Sequence, residues 1–324
     1  MDNRITIVMY HYVRDLSRSR YPEIKGLTVN AFRRQLDYIR EHYTIISMED
    51  MIDSLRHGYR SIPDNALLLT FDDGYLDHFT TVFPILHEAG IQGSFFPSAK
   101  AVQEQVVLDV NKIHFILATV KDKREIISFL FKLMDEFRNI YNLDENEIFF
   151  KTLAVPNRFD SGEVIFIKRM LQRVLPVDLR KKIIDMLFKK FVTNDEEAFS
   201  QELYLNIDHL RCMKRCGMFI GSHGYDHHWL DTLSPENQDK DIDRSLQFLQ
   251  TIGVSIEKWV MCYPYGAYNK SLLEIIRRKG CALGLSVQVG IADLSRDDVL
   301  TLPRLDTNDI PMSDDSQRGS SILS

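Results

Sequence analysis

Apolar positions along the chain follow two alternating rhythms. ITIVMY, residues 5–10, is a short run rich in branched residues and predicts a strand. ALLLTF, residues 66–71, is continuously apolar, the pattern of a strand buried on both faces. Between them, AFRRQLDYIREHY places Phe32, Leu36 and Ile39 at helical spacing. MEDMIDSLRHG predicts a second, shorter helix, with Ser47 as its N-cap and Gly58 as its stop. FTTVFPILHEAG predicts a helix that ends at Gly90, and IQGSFFPSA the strand after it.

The same rhythm returns after residue 200. DHLRCMKRCG, PENQDKDIDRSLQFLQTIG and KSLLEIIRRKG read as helices, and MFIGSHG, KWVMCYPYG and ALGLSV as strands. Strand–helix alternation implies a parallel α/β fold, barrel-like, with functional groups on loops that follow the strands. The stretch between is different. KIHFILATV, KREIISFLFKLMDEFRNIYNL, EVIFIKRMLQRVLP and LRKKIIDMLFKKFV are amphipathic helices. We therefore expect a barrel from residues 1–100 and 200–312 and a helical insertion at 101–199. The insertion is either purely structural or a cap shaping substrate access. Residues 313–324 are polar and are expected to form a flexible tail.

Composition narrows the partners. The net charge is −6 over 324 residues, which disfavours nucleic acid, whose phosphates require clustered Lys and Arg. Cys212, Cys216, Cys262 and Cys281 form no zinc-ribbon or CxxC pattern and read as free thiols of a reducing compartment. No run is apolar enough to span a membrane, and MDNRITIVMYHYV reads as a first strand rather than a leader, so a cytoplasmic location is expected. The oligomeric state stays open.

Three strand ends carry unusual chemistry: TFDDGY, GSHGYDHHWL and CYPYGAYN. His223 and His227 have a spacing that can present two imidazoles to one ion. With one aspartate they form a donor set suited to zinc first, and also to cobalt, nickel or iron. His228, beside His227, is expected at the rim. Adjacent strand residues point to opposite faces, so Asp72 and Asp73 share a site only if the chain leaves the strand there; Gly74 would ease that departure. A glycosidase pair must stand roughly 5–10 Å apart across a sugar, which neighbouring residues at a turn do not naturally provide. A split assignment fits better, with Asp73 as metal ligand and Asp72 as general base. YPYG is a tight turn that could aim the Tyr265 N–H at a developing oxyanion.

Together, TFDDGY, the H-x-x-x-H of SHGYDHH and the YPYG turn resemble the polysaccharide deacetylase family, the NodB-homology or carbohydrate esterase family 4. The resemblance covers roughly residues 5–100 and 200–310. It implies an α/β fold, a distorted (β/α) barrel of the NodB-homology type with a helical insertion. It also implies an Asp-His-His metal site and removal of N-acyl groups from sugars. Carried over, Asp72 is the base, Asp73, His223 and His227 the metal ligands, and Tyr265 part of the oxyanion hole. The chain departs from the family pattern at several places. Gly224 follows the first histidine where Ser or Thr is usual, and His228 replaces a proline. Cys262 stands where an arginine would contact the base, with Arg304 in TLPRLD as the candidate replacement. The family's late L-x-H motif is missing, but MYH at residues 9–11 ends the first strand, as in circularly permuted members. His11 is then the candidate acid, or alternatively a packed strand-end histidine. The expected function is metal-dependent removal of acetyl or formyl from an N-acylated sugar, in surface-polysaccharide metabolism. The alternatives are a catalytically altered carbohydrate-binding relative and an amidohydrolase of a non-sugar amide.

Overall fold

The computed structural model describes residues 3–56, 62–157 and 160–312. The expected Gly58 stop and the 313–324 tail lie outside these residues. Nine strands are described: β1 (Arg4–Tyr10), β2 (Thr44–Ile45), β3 (Ala66–Asp73), β4 (Ser94–Pro97), β5 (Phe219–Ile220), β6 (Trp259–Cys262), β7 (Cys281–Val289), β8 (Ala292–Asp293) and β9 (Leu302–Asp306). The main path is β5-β4-β3-β1-β9-β7-β6, and β2 and β8 pair off it with β3 and β1. Every neighbour on the main path is parallel. The path's two ends meet. Ser222, just beyond β5, donates its N–H to Val260 O at 2.9 Å and accepts from Cys262 N–H at 2.8 Å, so a curled parallel sheet is drawn round into a barrel.

Strand alternation sorts the side chains into two cores. Ile5, Ile7, Leu68, Val260, Leu283, Leu285 and Leu302 belong to one buried cluster, with Met48 and Met51 of the short helix Met48–Arg56. Val8, Tyr10, Leu67, Leu69 and Phe71 belong to another, together with the buried faces of the surrounding helices. The helix Val29–His42 contributes the expected Phe32, Leu36 and Ile39. Its N-cap Thr28 accepts from Ala31 N–H, and Ser47 Oγ accepts the Asp50 N–H as the N-cap of the next helix. Ser234 and Asn269 cap the helices Pro235–Thr251 and Lys270–Arg278 in the same way. No described helix is long and apolar enough to cross a membrane.

The chain divides into two compact units. Among the described residues, one comprises those within 3–15, 26–106 and 201–312, the other those within 16–25 and 107–200. The second is helical, and its core includes the edge-to-face rings of Phe115, Phe188 and Phe199. Tyr21 adds its ring to Phe115 at 5.0 Å, which ties the early segment to this unit. Lys112, almost fully buried, pairs there with Asp185 at 2.5 Å and Glu196 at 2.9 Å. A buried cation is stable only with such partners.

Among the elements that differ from the sequence reading, two lie beside β3 and β4. The helix at 79–90 opens as a π-turn over His78–Val82 before becoming regular at Phe83–Glu88. The strand expected over 218–224 is regular only at Phe219–Ile220; its continuation is the single bridge at Ser222.

Close packing at β7 generates a stability prediction. A Cβ on Gly284 would lie 2.0 Å from Leu300 O and 2.6 Å from the Tyr263 hydroxyl. Gly284→Ala should lower unfolding free energy by ~3 kcal/mol or more, since backbone cannot yield cheaply to overpacking. Urea denaturation followed by circular dichroism measures it, and a loss under ~1 kcal/mol would contradict this geometry.

Candidate active site

Inward-facing positions change from apolar to polar at the C-terminal ends of the strands. On β3 the order is Leu68, Thr70, Asp72, and on β9 it is Leu302, Arg304; all five are buried. Arg304 donates to Asp72 Oδ1 at 3.0 Å and to Oδ2 at 2.8 Å, a two-pronged pair. Two further donors go to Ser286 O at 2.8 Å and Thr70 Oγ1 at 3.1 Å. Cys262 Sγ donates to Asp72 Oδ2 at 3.2 Å. Burial raises the Cys262 pKa, which keeps it a neutral donor. Burial alone would also raise Asp72, but the charge and hydrogen bonds of Arg304 outweigh it and hold the carboxyl at about 2. Arg304 from β9 and Cys262 from β6 thus meet on the same carboxylate.

Asp73 reaches the same place by a different route. Alternation would turn it away from Asp72, but its backbone is left-handed at φ 71°. The departure expected at Gly74 therefore begins one residue earlier. Gly74 follows with φ 73°, and a Cβ there would lie 2.6 Å from Pro97 Cβ. The turn brings Asp73 Oδ1 to 3.2 Å from His223 Nε2 and 3.1 Å from His227 Nε2. One donor atom from each of the three residues lies within 4.8 Å of the others. All three side chains are buried.

These contacts lack hydrogen-bond geometry. Asp73 Oδ1 has no hydrogen-bond partner among the described residues despite its burial. A buried carboxylate oxygen left so is costly, and two imidazole nitrogens converge on it. His223 Nδ1 lies 2.7 Å from Cys262 O, an acceptor only, so Nδ1 carries a proton and Nε2 is the atom turned toward Asp73. Burial opposes a charge on this ring, but Cys262, Asp73 and Asp72 hold its pKa well above the ordinary value in the metal-free site. Burial lowers the His227 pKa, and neighbouring His223 adds to the effect, favouring the neutral ring that ligates metals. Burial opposes ionisation of Asp73, but His223 and His227 hold it well below the usual carboxylate range. Two nitrogens and one oxygen form a donor set that fits a divalent metal.

The histidine loop is shaped from a distance. Asp241, buried on the helix Pro235–Thr251, accepts the Tyr225 N–H at 2.8 Å and the Asp226 N–H at 3.3 Å. Gly224 has φ 70°, and a Cβ there would stand 3.0 Å from Asp241 Oδ1. The departure from Ser or Thr at this position thus accompanies a close approach of that carboxylate. His227 is itself left-handed at φ 51°. His228 lies at the rim, exposed and 3.4 Å from Asp226 Oδ2.

His11 follows β1, whose Tyr10 pairs in register with Phe71, so His11 stands level with Asp72. It interacts electrostatically with both aspartates. His78 Nε2 donates to its carbonyl at 2.9 Å. Tyr265 sits in the turn Pro264–Gly266 at φ 57°. Its ring lies 4.7 Å from that of His227 and stacks on Trp229 at 4.2 Å, nearly parallel. The sequence reading passed over Tyr75, His78, Trp229 and Asp241. Tyr75 and Trp229 were in view, two residues beyond Asp73 and His227 respectively. Asp241 gave no local signal, because a helical aspartate reads as solvent-facing.

The chain is similar to several known proteins. A family model described as polysaccharide deacetylase matches residues 60–284. An 85-residue stretch is 33% identical to poly-beta-1,6-N-acetyl-D-glucosamine N-deacetylase of Escherichia coli K12. That stretch is 26% of this chain and spans only 12% of the relative. The Streptococcus pyogenes deacetylase PplD superposes with a TM-score of 0.59, at 16% identity over 97% of this chain and 94% of that one. IcaB from Ammonifex degensii gives 0.54, at 19% identity over 94% and 91%. The structural likenesses show a shared fold.

The Arg304–Asp72 pair has a pH signature in metal-free protein. Asp72 is lower folded than its ordinary 3.8, so its contribution is present above that value and fades as pH falls from about 4 towards about 2. Arg304→Met should cost roughly 3–5 kcal/mol at pH 7, because it leaves a buried charge alone. Burial then dominates Asp72 and raises its pKa, so the variant should recover stability as pH falls from 7 towards 4. Denaturant titrations across pH test this, and a variant with the wild-type pH dependence would refute it.

Proposed function

As the chain belongs to the polysaccharide deacetylase family, we propose that it hydrolyses an N-acyl group, acetyl or formyl, from an amino sugar. The observation that carries this is the convergence of Asp73, His223 and His227 beside an ionised, arginine-held Asp72. A divalent metal held by those three residues would polarise the acyl carbonyl and lower the pKa of water toward ~7.

The chain's own groups divide the remaining work. Asp72, kept ionised by Arg304, accepts the proton of the attacking water. Arg304 and Cys262 fix its orientation from two strands. The Tyr265 N–H, held in its left-handed turn, donates to the oxyanion. As the C–N bond breaks, His11 gives a proton to the departing amine. The products are a free amine on the sugar and a carboxylic acid. His78 supports this role for His11 by anchoring its carbonyl. Burial lowers the His78 pKa to about 4, so it stays neutral.

The alternative of a carbohydrate-binding relative without catalysis drew on the departures at Gly224 and Cys262. The contacts made by Asp241 and Arg304 offset both, which favours the enzyme. The unpaired cysteines support a reducing, cytoplasmic setting. There the substrate would be a free, nucleotide-linked or lipid-linked saccharide of surface-polysaccharide metabolism rather than a finished polymer.

Zinc- or cobalt-loaded protein should release acetate or formate from a panel of N-acyl sugars, and chelation should abolish release until metal is restored. A non-sugar amide turned over in preference would replace the sugar assignment. Asp72→Asn should bind the metal normally and lose ~100-fold or more in kcat. Unchanged turnover there would remove Asp72 from the mechanism.

A further inference from the structure

Tyr75 has no part in the reading above, yet its hydroxyl contacts the proposed metal ligand directly. The ring is completely buried. The hydroxyl donates to Asp73 Oδ2 at 2.5 Å, while Oδ1 of the same carboxylate faces His223 and His227. The two oxygens of one carboxylate thus look in different directions, one toward a phenol and one toward the imidazole pair.

The phenol is held firmly enough to impose that orientation. Tyr75 stacks on Tyr12 with centroids 3.9 Å apart and planes 19° apart. Tyr204 lies nearly parallel at 6.2 Å, and its backbone bridges that of Tyr75. His78 meets the ring edge at 5.7 Å. At the other end, the Asp73 backbone is fixed in the left-handed region. The torsion about the Asp73 carboxyl is then the main freedom left, and the Tyr75 hydroxyl sets it.

We propose that Tyr75 is a positioning residue of the metal site: its hydroxyl reserves Asp73 Oδ2, so that Oδ1 alone is offered to a divalent cation beside His223 and His227. This rests on the reading that those three residues hold a metal. A hydrogen bond to the non-ligating oxygen draws off part of the carboxylate's charge and prevents it from swinging to bind through both oxygens. Such partners of metal ligands typically govern affinity by about 10–100-fold. Tyrosine suits the position because its hydroxyl has a single proton and its ring gives a stiff, stackable lever.

The test compares full-length wild type with the near-isosteric Tyr75→Phe after metal removal. Zn²⁺ affinity is measured by competition with a chromogenic chelator, and coordination by the visible absorption of the Co²⁺ form. The variant should bind Zn²⁺ about 10–100-fold more weakly, with altered Co²⁺ bands. Its metal-free unfolding temperature should stay near wild type, and zinc should raise it less. Unchanged affinity and Co²⁺ spectrum would overturn the proposal, including where only metal-free stability falls, since Tyr75 would then be packing alone. Should Tyr75→Phe fail to fold, Tyr12→Leu removes the stacking ring and keeps the Tyr75 hydroxyl. It should weaken Zn²⁺ by a smaller factor, and unchanged affinity there would overturn the proposal equally. Wild type that binds neither ion would overturn the metal reading itself, and this inference with it, an outcome distinct from a difference between variants.

Discussion

The site depends on one buried ion pair, Arg304 with Asp72. Both side chains lie inside the barrel, where an isolated charge would be driven to neutrality. The pair survives because its geometry is nearly complete. Two parallel hydrogen bonds join the partners, and two further guanidinium donors find Ser286 O and Thr70 Oγ1. A thiol rather than a second cation completes the carboxylate's surroundings, so the arginine is the one positive side chain hydrogen-bonded to Asp72 among the described residues. The result is an anionic group that remains ionised although it is buried.

Around that pair the backbone departs from common conformations at three positions. Asp73, His227 and Tyr265 all have positive φ, at the ends of three different strands or their continuations. Such conformations cost of order 1–3 kcal/mol each and persist where surrounding structure holds them. Here that structure can be named. Tyr75 and the two histidines meet Asp73, Asp241 gathers the amides of the histidine loop, and Trp229 stacks on Tyr265. The strain turns side chains that strand alternation would scatter toward one point.

Much of the frame was legible because it is local. The apolar run at 66–71 and the spacing of Phe32, Leu36 and Ile39 follow from burial on a strand and on one helix face, and neighbours in sequence suffice to read them. β9 was not legible as a strand. It is five residues long and carries Pro303, which argues against a strand when only the sequence is in view. Its burial comes from lying between β1 and β7, both remote in sequence. The role of residues 16–25 was hidden for a similar reason, since only contacts such as Tyr21 with Phe115 assign them to the helical unit.

By itself, the sequence determined the alternation of strands and helices, the placing of paired aspartates and spaced histidines at strand ends, and the family resemblance those motifs carry. These depend on residue types a few positions apart. Tertiary structure decided which arginine meets Asp72, from 232 positions away, and which oxygen of Asp73 is left to face the imidazoles. It also decided that a helical aspartate would cap the histidine loop. Each of these follows from barrel register and backbone direction, which set distances between side chains that the chain itself keeps far apart.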